Sequence, residues 1–587
     1  MVTIVPVDQF IADGGYPGYT PLGDRADWLV KPSGPFREAD EQRFWFLDFH
    51  WPQGLTPMGL ACVEDVYSWG TQLAAEALPV PIGRGIAHRI AGTHIYAAAI
   101  EVTHEAQVAE RTRRLRASLP AFVNNFDAIW AARVGEIGAW WDRLWSVDVS
   151  SLSRPELGEY LREARRFHRR AFEIHFEVMY PLLINYLGFH RACTGMGIAP
   201  GEVAKFLQGY DTKIMETDRT LYTLARKARQ AGLREVFVAH AAHDLRGALS
   251  RRGGRAASWL TEFDDFLRLY GDRAEGTSDI ALPSWAEDPT PPLKMIKSFL
   301  RDDADHDFAA ARNAAVEERE AAIDAARAGL TSPEQEIFDA GLASCQVANF
   351  PWWQDEHNLW IDLRASLPLR WACLRVSDAV GAGRPDDALF LFWPELMAVV
   401  DGTTPYDTLR QLVEDRRQYF DHWQQRRPDM PKILGTVPDA VTDPILIEVF
   451  GLDRHFLQAV SAGDGHTEVR SLTGMPAAGG VARGIARVLF DAAGLHRVQR
   501  GDVLVCESTS PNWTPAFGKV AACVCDGGGS LSHAAIVGRE YRIPTVTAVG
   551  VATTVIQDGD EIEVDGTRGV VTVLRRAARI ESLGAVS

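Results

Sequence analysis

At 587 residues the chain is longer than one hydrophobic core usually serves, so at least two domains are expected. Its 61 Lys and Arg against 78 Asp and Glu leave a formal charge of −17, with no long basic run, which opposes binding to nucleic acid or an anionic membrane. The opening decapeptide lacks a basic region, and the longest apolar run, near Val546 to Ile556, is too short to span a bilayer, so a soluble cytoplasmic protein is expected.

In chain order, residues 41 to 60 form the densest aromatic segment and end in a turn rich in Pro and Gly. Asp48 and His50 interrupt its apolar run where the chain turns, between Trp45 and Trp51. A polar pair set in aromatic walls is what a small-molecule pocket needs, although a packed core entry has the same composition. From Ala106 to about Arg255 apolar residues recur every three or four positions, as at Leu157, Leu161, Ala164 and Phe167, which predicts successive amphipathic helices. Ser153, Pro155 and Glu156 mark one helix start. His168 and His175 would share a helix face, as would His240 and His243, but neither pair has a third ligand, and no metal is assigned.

Pro289, Pro291 and Pro292 suggest a break, followed by an Ala-, Glu- and Arg-rich helix from Asp302 to Arg327 that reads as a solvated arm near 290–330. Thr331-Ser-Pro-Glu is a capping signal. Glu356 and His357, beside Trp352 and Trp353, form a second aromatic cluster holding an acid/base pair. The polar, glycine-containing stretch 461–473 is a candidate linker between a mainly helical region, 1–460, and a compact α/β domain, 474–587. Strand-like runs follow at 503–506, 520–525, 545–549, 561–564 and 570–574, with a hairpin turn at Asp565-Gly566. The seven cysteines are scattered among apolar residues and read as buried thiols. Cys523 and Cys525 would share a strand face but have no second ligand pair near them in sequence.

The stretch Asp526 to Gly550 is organised about His533. Three glycines allow a tight turn, Ser532 is a good N-cap, and Ala534 to Val537 begin a helix, so His533 is placed at a helix N-terminus. Such a position attracts anions, and a phosphoryl group carried there would have its charge partly compensated. His533 is therefore a candidate nucleophile and phosphoryl carrier.

Gly528, Gly529, Ser532, His533, Ala534, Ala535, Ile536, Arg539, Glu540, Ile543 and Pro544 together resemble the phosphohistidine signature of the phosphoenolpyruvate-utilising enzymes. That family includes pyruvate phosphate dikinase, phosphoenolpyruvate synthase, rifampin phosphotransferase and the phenylphosphate synthases. Further resemblances lie at His50-Trp-Pro with Thr56-Pro-Met, at Leu207-Gln-Gly with Lys213, Glu216 and Asp218, and at Tyr270-Gly-Asp-Arg273. In the last, Ala274 and Thr277 depart from the usual Gly and Glu, which suggests a different acceptor.

The resemblance implies a large, mainly α-helical acceptor-binding domain followed by a small swivelling phosphohistidine domain of β/β/α type. Gly528, Gly529, Ser532 and Arg539 would support the phosphate. Trp45, Asp48, His50, Trp51, Lys213, Glu216, Asp218, Arg273, Glu356 and His357 are the acceptor-side candidates. No Walker A pattern is found. The order of parts is similar to that of the phenylphosphate or 4-cresol phosphate synthase subunit that lacks the ATP-grasp domain. The implied function is a phosphotransferase subunit in a hetero-oligomer: an ATP-grasp partner binding ATP and Mg2+ charges His533, which passes the phosphoryl group to a phenol- or cresol-like hydroxyl. A split antibiotic phosphotransferase and a non-catalytic phosphohistidine relay are the alternatives.

Overall fold

The structure is a computed structural model that describes residues 4–19, 34–274, 278–301, 307–348, 358–461, 470–510 and 513–577. The chain forms two compact units that interleave along the sequence. The first comprises residues 1–192, 211–306 and 331–446, the second 193–210, 307–330 and 447–587. Most of the candidate linker, residues 462–469, lies outside the described residues.

The first unit is mainly helical, but it also holds an antiparallel sheet that the helical periodicity did not suggest. Its strands are β1 (Ile4–Val5), β2 (Phe44–Leu47), β3 (Gly83–Ala91), β4 (His94–Glu101) and β5 (Ile433–Thr436), in the order β1-β5-β2-β4-β3. The sheet packs Trp45, Leu47, Ala87, Tyr96, Ala98 and Leu434 into one apolar cluster with Phe10 and Trp423. β2 ends at Leu47, which delivers Asp48 and His50 to the turn beyond.

The longest helix, Arg154–Gly195, begins as its start signal requires: Glu156 Oε2 accepts from the Ser153 N–H at 2.9 Å. Leu157, Leu161, Ala164, His168, Phe172 and His175 follow at spacings of three and four, and all are buried. His168 and His175 thus occupy positions on the core stripe itself. Prolines 291 and 292 do not break the chain; they sit in the first turn of a helix, Thr290–Arg301, where their missing N–H groups cost nothing. Thr331 and Glu334 close the expected cap at 2.6 and 2.8 Å, starting Ser332–Ala348. Among the described residues no helix is long and apolar enough to cross a membrane.

The second unit contains an eight-stranded mixed sheet. Its strands are β6 (Ser471–Thr473), β7 (Met475–Ala478), β8 (Val481–Leu489), β9 (Val503–Cys506), β10 (Ala522–Cys525), β11 (Thr545–Thr547), β12 (Glu561–Asp565) and β13 (Val570–Arg575), in the order β6-β13-β12-β8-β9-β10-β11-β7. β8 through β11 are parallel and their flanks antiparallel. Val503, Val505, Ala522, Val524, Val546, Ile562 and Val564 form the core on one face.

The Ala-rich helix expected as a solvated arm, Phe308–Ala328, is part of this unit and buries Ala315 and Ile323. A short apolar stripe suffices here because Ala permits close approach. Gln208 Nε2 donates to Ala315 O at 3.2 Å, and Gly209 lies against the same turn with φ +77°. A Cβ on Gly209 would come within 2.8 Å of the Val316 nitrogen. Gly209→Ala is therefore expected to destabilise the second unit by about 1–3 kcal/mol, measurable by urea unfolding.

Candidate active site: a phosphohistidine loop and a buried polar array

His533 is the first residue of the helix His533–Glu540, after an extended Ser532. Its side chain is half-buried and gripped from the 507–517 segment: Thr509 Oγ1 lies 2.8 Å from Nδ1, Thr514 Oγ1 3.4 Å from Nε2, and the Phe517 ring stands edge-on at 6.4 Å. With Nδ1–H donating to Thr509, the ring lone pair lies on Nε2, beside the Thr514 hydroxyl. Neither threonine was singled out from sequence. Their signal is a pair of hydroxyls in a Pro-punctuated loop after a strand, which reads as an ordinary turn.

The supporting residues act differently from expectation. Ser532 Oγ does not cap the helix; it donates to Gly529 O at 2.8 Å. The Gly528 and Gly529 N–H groups donate to Phe450 O and Val449 O, at 2.8 and 3.3 Å, and so are turned to backbone. Glycine is nevertheless required: a Cβ on Gly529 would fall 2.1 Å from Glu448 O, and Gly528 has φ +98°. Arg539, expected beside the phosphate, is 2 % exposed and donates to Ala477 O and Ser530 O at 3.1 and 2.7 Å. Six residues along a helix carry it to the inner side, where it ties the loop to β7. Glu448 and Asp526 anchor the loop further, the first accepting from Ser530 Oγ at 2.6 Å and the second from Thr553 N–H at 3.0 Å.

Glu540 is 4 % exposed and accepts from the Gly209 N–H at 3.0 Å. Burial raises its pKa to about 7 against the pull of that bond and of nearby arginines. The Gln-Gly motif thus supports the helix that begins at His533.

In the first unit, the Asp48 carboxylate accepts from both the backbone N–H and the ring Nδ1 of His50, each at 2.9 Å. Asp48 is 2 % exposed, the His50 side chain 24 %. Burial disfavours the imidazolium, but the charge and hydrogen bond of Asp48, with the charge of Asp362, raise the His50 pKa above its ordinary value. Asp362 was not foreseen. It lies in the turn Asn358–Asp362, with Oδ1 3.6 Å from His175 Nδ1 and its carbonyl accepting from the Ser278 N–H. Ser278 has φ +57°, a strained value for a residue with a Cβ, and its Oγ is 3.5 Å from the Tyr67 hydroxyl. Tyr67 packs against Trp51, Phe172 and Phe176, with ring centroids 5.2 to 5.5 Å apart.

Burial raises the Asp362 pKa to about 7. Because the folded value lies above the ordinary 3.8, its stabilising contribution is complete below about pH 4 and is lost as pH rises through 7. Asp362→Asn is expected to flatten the stability profile, removing on the order of 3 kcal/mol of decline between pH 5 and 8 in urea titrations.

The other acceptor-side candidates divide. Trp45 is fully buried, donating from Nε1 to Asp40 O at 2.8 Å, and is a core residue. Lys213, Glu216 and Arg273 form a separate cluster: Lys213 Nζ pairs with Glu216 at 2.8 Å, Tyr270 donates to Glu216 at 2.5 Å, and Arg273 donates to Lys213 O at 3.2 Å. Asp218 is buried one turn on. Glu356, His357 and Thr277 lie outside the described residues.

Residues 176–350 match the family model described as the rifampicin phosphotransferase fourth domain, and residues 498–569 match the PEP-utilising enzyme mobile domain. Both matches are to domains of PEP-utilising phosphotransferases, which the chain resembles over these segments. Similar relatives include chondramide synthase cmdD of Chondromyces crocatus, 29 % identical over 570 residues, covering 91 % of this chain and 14 % of that protein. The uncharacterized phosphotransferase YvkC of Bacillus subtilis is 28 % identical over 71 % of this chain and 49 % of its own length. The rifampicin phosphotransferase of Bacillus cereus is 25 % identical over 53 % of this chain and 34 % of its own. The chain thus spans half or less of the length of these relatives. His533 falls within the mobile-domain match.

Proposed function

We propose that this chain is a phosphotransferase subunit that carries a phosphoryl group on His533 Nε2 and delivers it to the hydroxyl of a small aromatic acceptor. The observation that carries the reading is the 2.8 Å contact of Thr509 Oγ1 with His533 Nδ1 inside a mobile-domain match, which supports Nε2 as the nucleophile when Nδ1–H is the donor. An ATP-grasp partner, with ATP and Mg2+, charges the histidine. Nucleophilic attack by Nε2 at the β-phosphorus forms the N–P bond as AMP departs, and hydrolysis then releases the terminal phosphate and leaves one phosphoryl group on the histidine. The acceptor oxygen then takes the phosphoryl group and restores neutral imidazole.

The array around Tyr67 supports an aromatic hydroxyl acceptor. It combines aromatic faces with a His–carboxylate pair in which Asp48 holds Nδ1–H, setting the His50 Nε2 lone pair to take the hydroxyl proton. A phenol, with a pKa near 10 by analogy with Tyr, is within reach of such a base. The match to a rifampicin phosphotransferase domain favours, as a second reading, a bulkier hydroxyl compound.

The test combines purified chain, its ATP-grasp partner, γ- and β-labelled ATP, and p-cresol or a rifamycin. Cresyl phosphate is expected. Label on His533 with product only from the rifamycin would favour the second reading, and label with product from neither would leave a phosphohistidine relay.

A further inference from the structure

Three of the seven cysteines converge in the second unit. Cys506 ends β9 and Cys525 ends β10, and these parallel strands pair the two residues in register. Cys523 precedes Cys525 by two residues and shares its face. The Cys506 and Cys525 sulfurs are 3.6 Å apart, the Cys523 and Cys525 sulfurs 3.8 Å, and all three lie within 4.8 Å of one another. All are reduced, and none has exposed surface. Buried thiols often serve as small apolar side chains. Here the spacing matches a ligand set: sulfurs bonded to one metal at about 2.3 Å are about 3.8 Å apart in tetrahedral and about 4.0 Å apart in trigonal geometry.

We propose that Cys506, Cys523 and Cys525 form a three-sulfur site for a single soft univalent cation, Cu(I), at the root of the loops that hold His533. Among the described residues these three form the one group of His, Cys, Asp or Glu donors with such spacing, and no fourth donor of those types joins them. Thiolates suit Cu(I), Zn(II) and iron–sulfur clusters, but structural Zn(II) and iron–sulfur sites take four ligands, so a three-sulfur set favours Cu(I). Cu(I) with three thiols gives two thiolates and one thiol on the metal and releases two protons, leaving a net charge of −1. A full trithiolate would hold −2 in an apolar interior that disfavours charge. Cys506 stands three residues before Thr509, and Cys525 opens the segment that ends at Ser532. A bound ion therefore pins both strand ends from which the His533 grip springs.

The experiment titrates the full chain anaerobically with Cu(I) against bicinchoninate and reads the metal retained and its X-ray absorption. The expected result is one Cu(I) per chain with a sulfur-only shell at about 2.3 Å. Cys523→Ser and Cys525→Ser should each weaken retention at least about tenfold, while Cys345→Ala, outside the cluster, should not. Copper left on the chelator, a nitrogen or oxygen shell, retention that survives loss of all three cysteines, or Zn(II) bound as tightly as Cu(I) would overturn the proposal. The absorption spectrum of the unsubstituted chain decides the matter even where a variant fails to fold.

Discussion

His533→Ala is expected to yield a folded protein that accepts no phosphoryl group from charged partner and ATP and forms no acceptor phosphate, a loss of at least about a thousandfold. The fold should survive because the imidazole is half-buried and makes its hydrogen bonds to two threonine hydroxyls, while the loop is anchored by Glu448, Asp526 and Arg539. Acid-labile label on the chain, followed by partial proteolysis to the 474–577 region, measures the effect directly. Label persisting in the variant would mean that another residue carries the phosphoryl group.

Asp48→Asn is the second large effect. Charging of His533 should be unchanged, while transfer to the acceptor falls by about 10²–10⁴, the range for loss of a positioned general base. In the unsubstituted protein the transfer rate should rise with pH through a midpoint above 6.5, because His50 must lose its proton and Asp48 raises its pKa. Removing the Asp48 charge leaves burial, which favours neutral imidazole, so the midpoint moves to lower pH even as the maximum rate drops. A merely structural role would lower the rate without moving that midpoint.

Much of the second unit was legible in the sequence because its information is local. The runs at 503–506, 561–564 and 570–574 are strands, and the glycines around 528 precede a helix that starts at His533. What escaped depends on pairing across long separations. β1 has two residues and β5 four, and they meet from opposite ends of the first unit, so no periodic window contains their sheet. Cys506 joins Cys525 through strand register. Asp362 reaches His175 from an apolar run, Ile361-Asp-Leu, where a lone carboxylate reads as a surface residue. Arg539 was misplaced for a different reason. Its spacing from His533 was plain, but the face of a two-turn helix that meets the loop is set by packing against β7 and β11.

The bond from Gly209 to Glu540 bears on how portable the module around His533 is. The mobile-domain match covers residues 498–569 and includes neither 193–210 nor 307–330, yet Glu540 takes its amide partner from the first of these segments, and Arg542 approaches Glu318 of the second at 3.7 Å. A transplant cut at residue 474 would strand a carboxyl that titrates near neutrality without the amide it accepts from. Moving this module into another protein therefore means transferring three stretches of sequence together, and chimaeras that carry the last alone should have a pH-sensitive helix at His533.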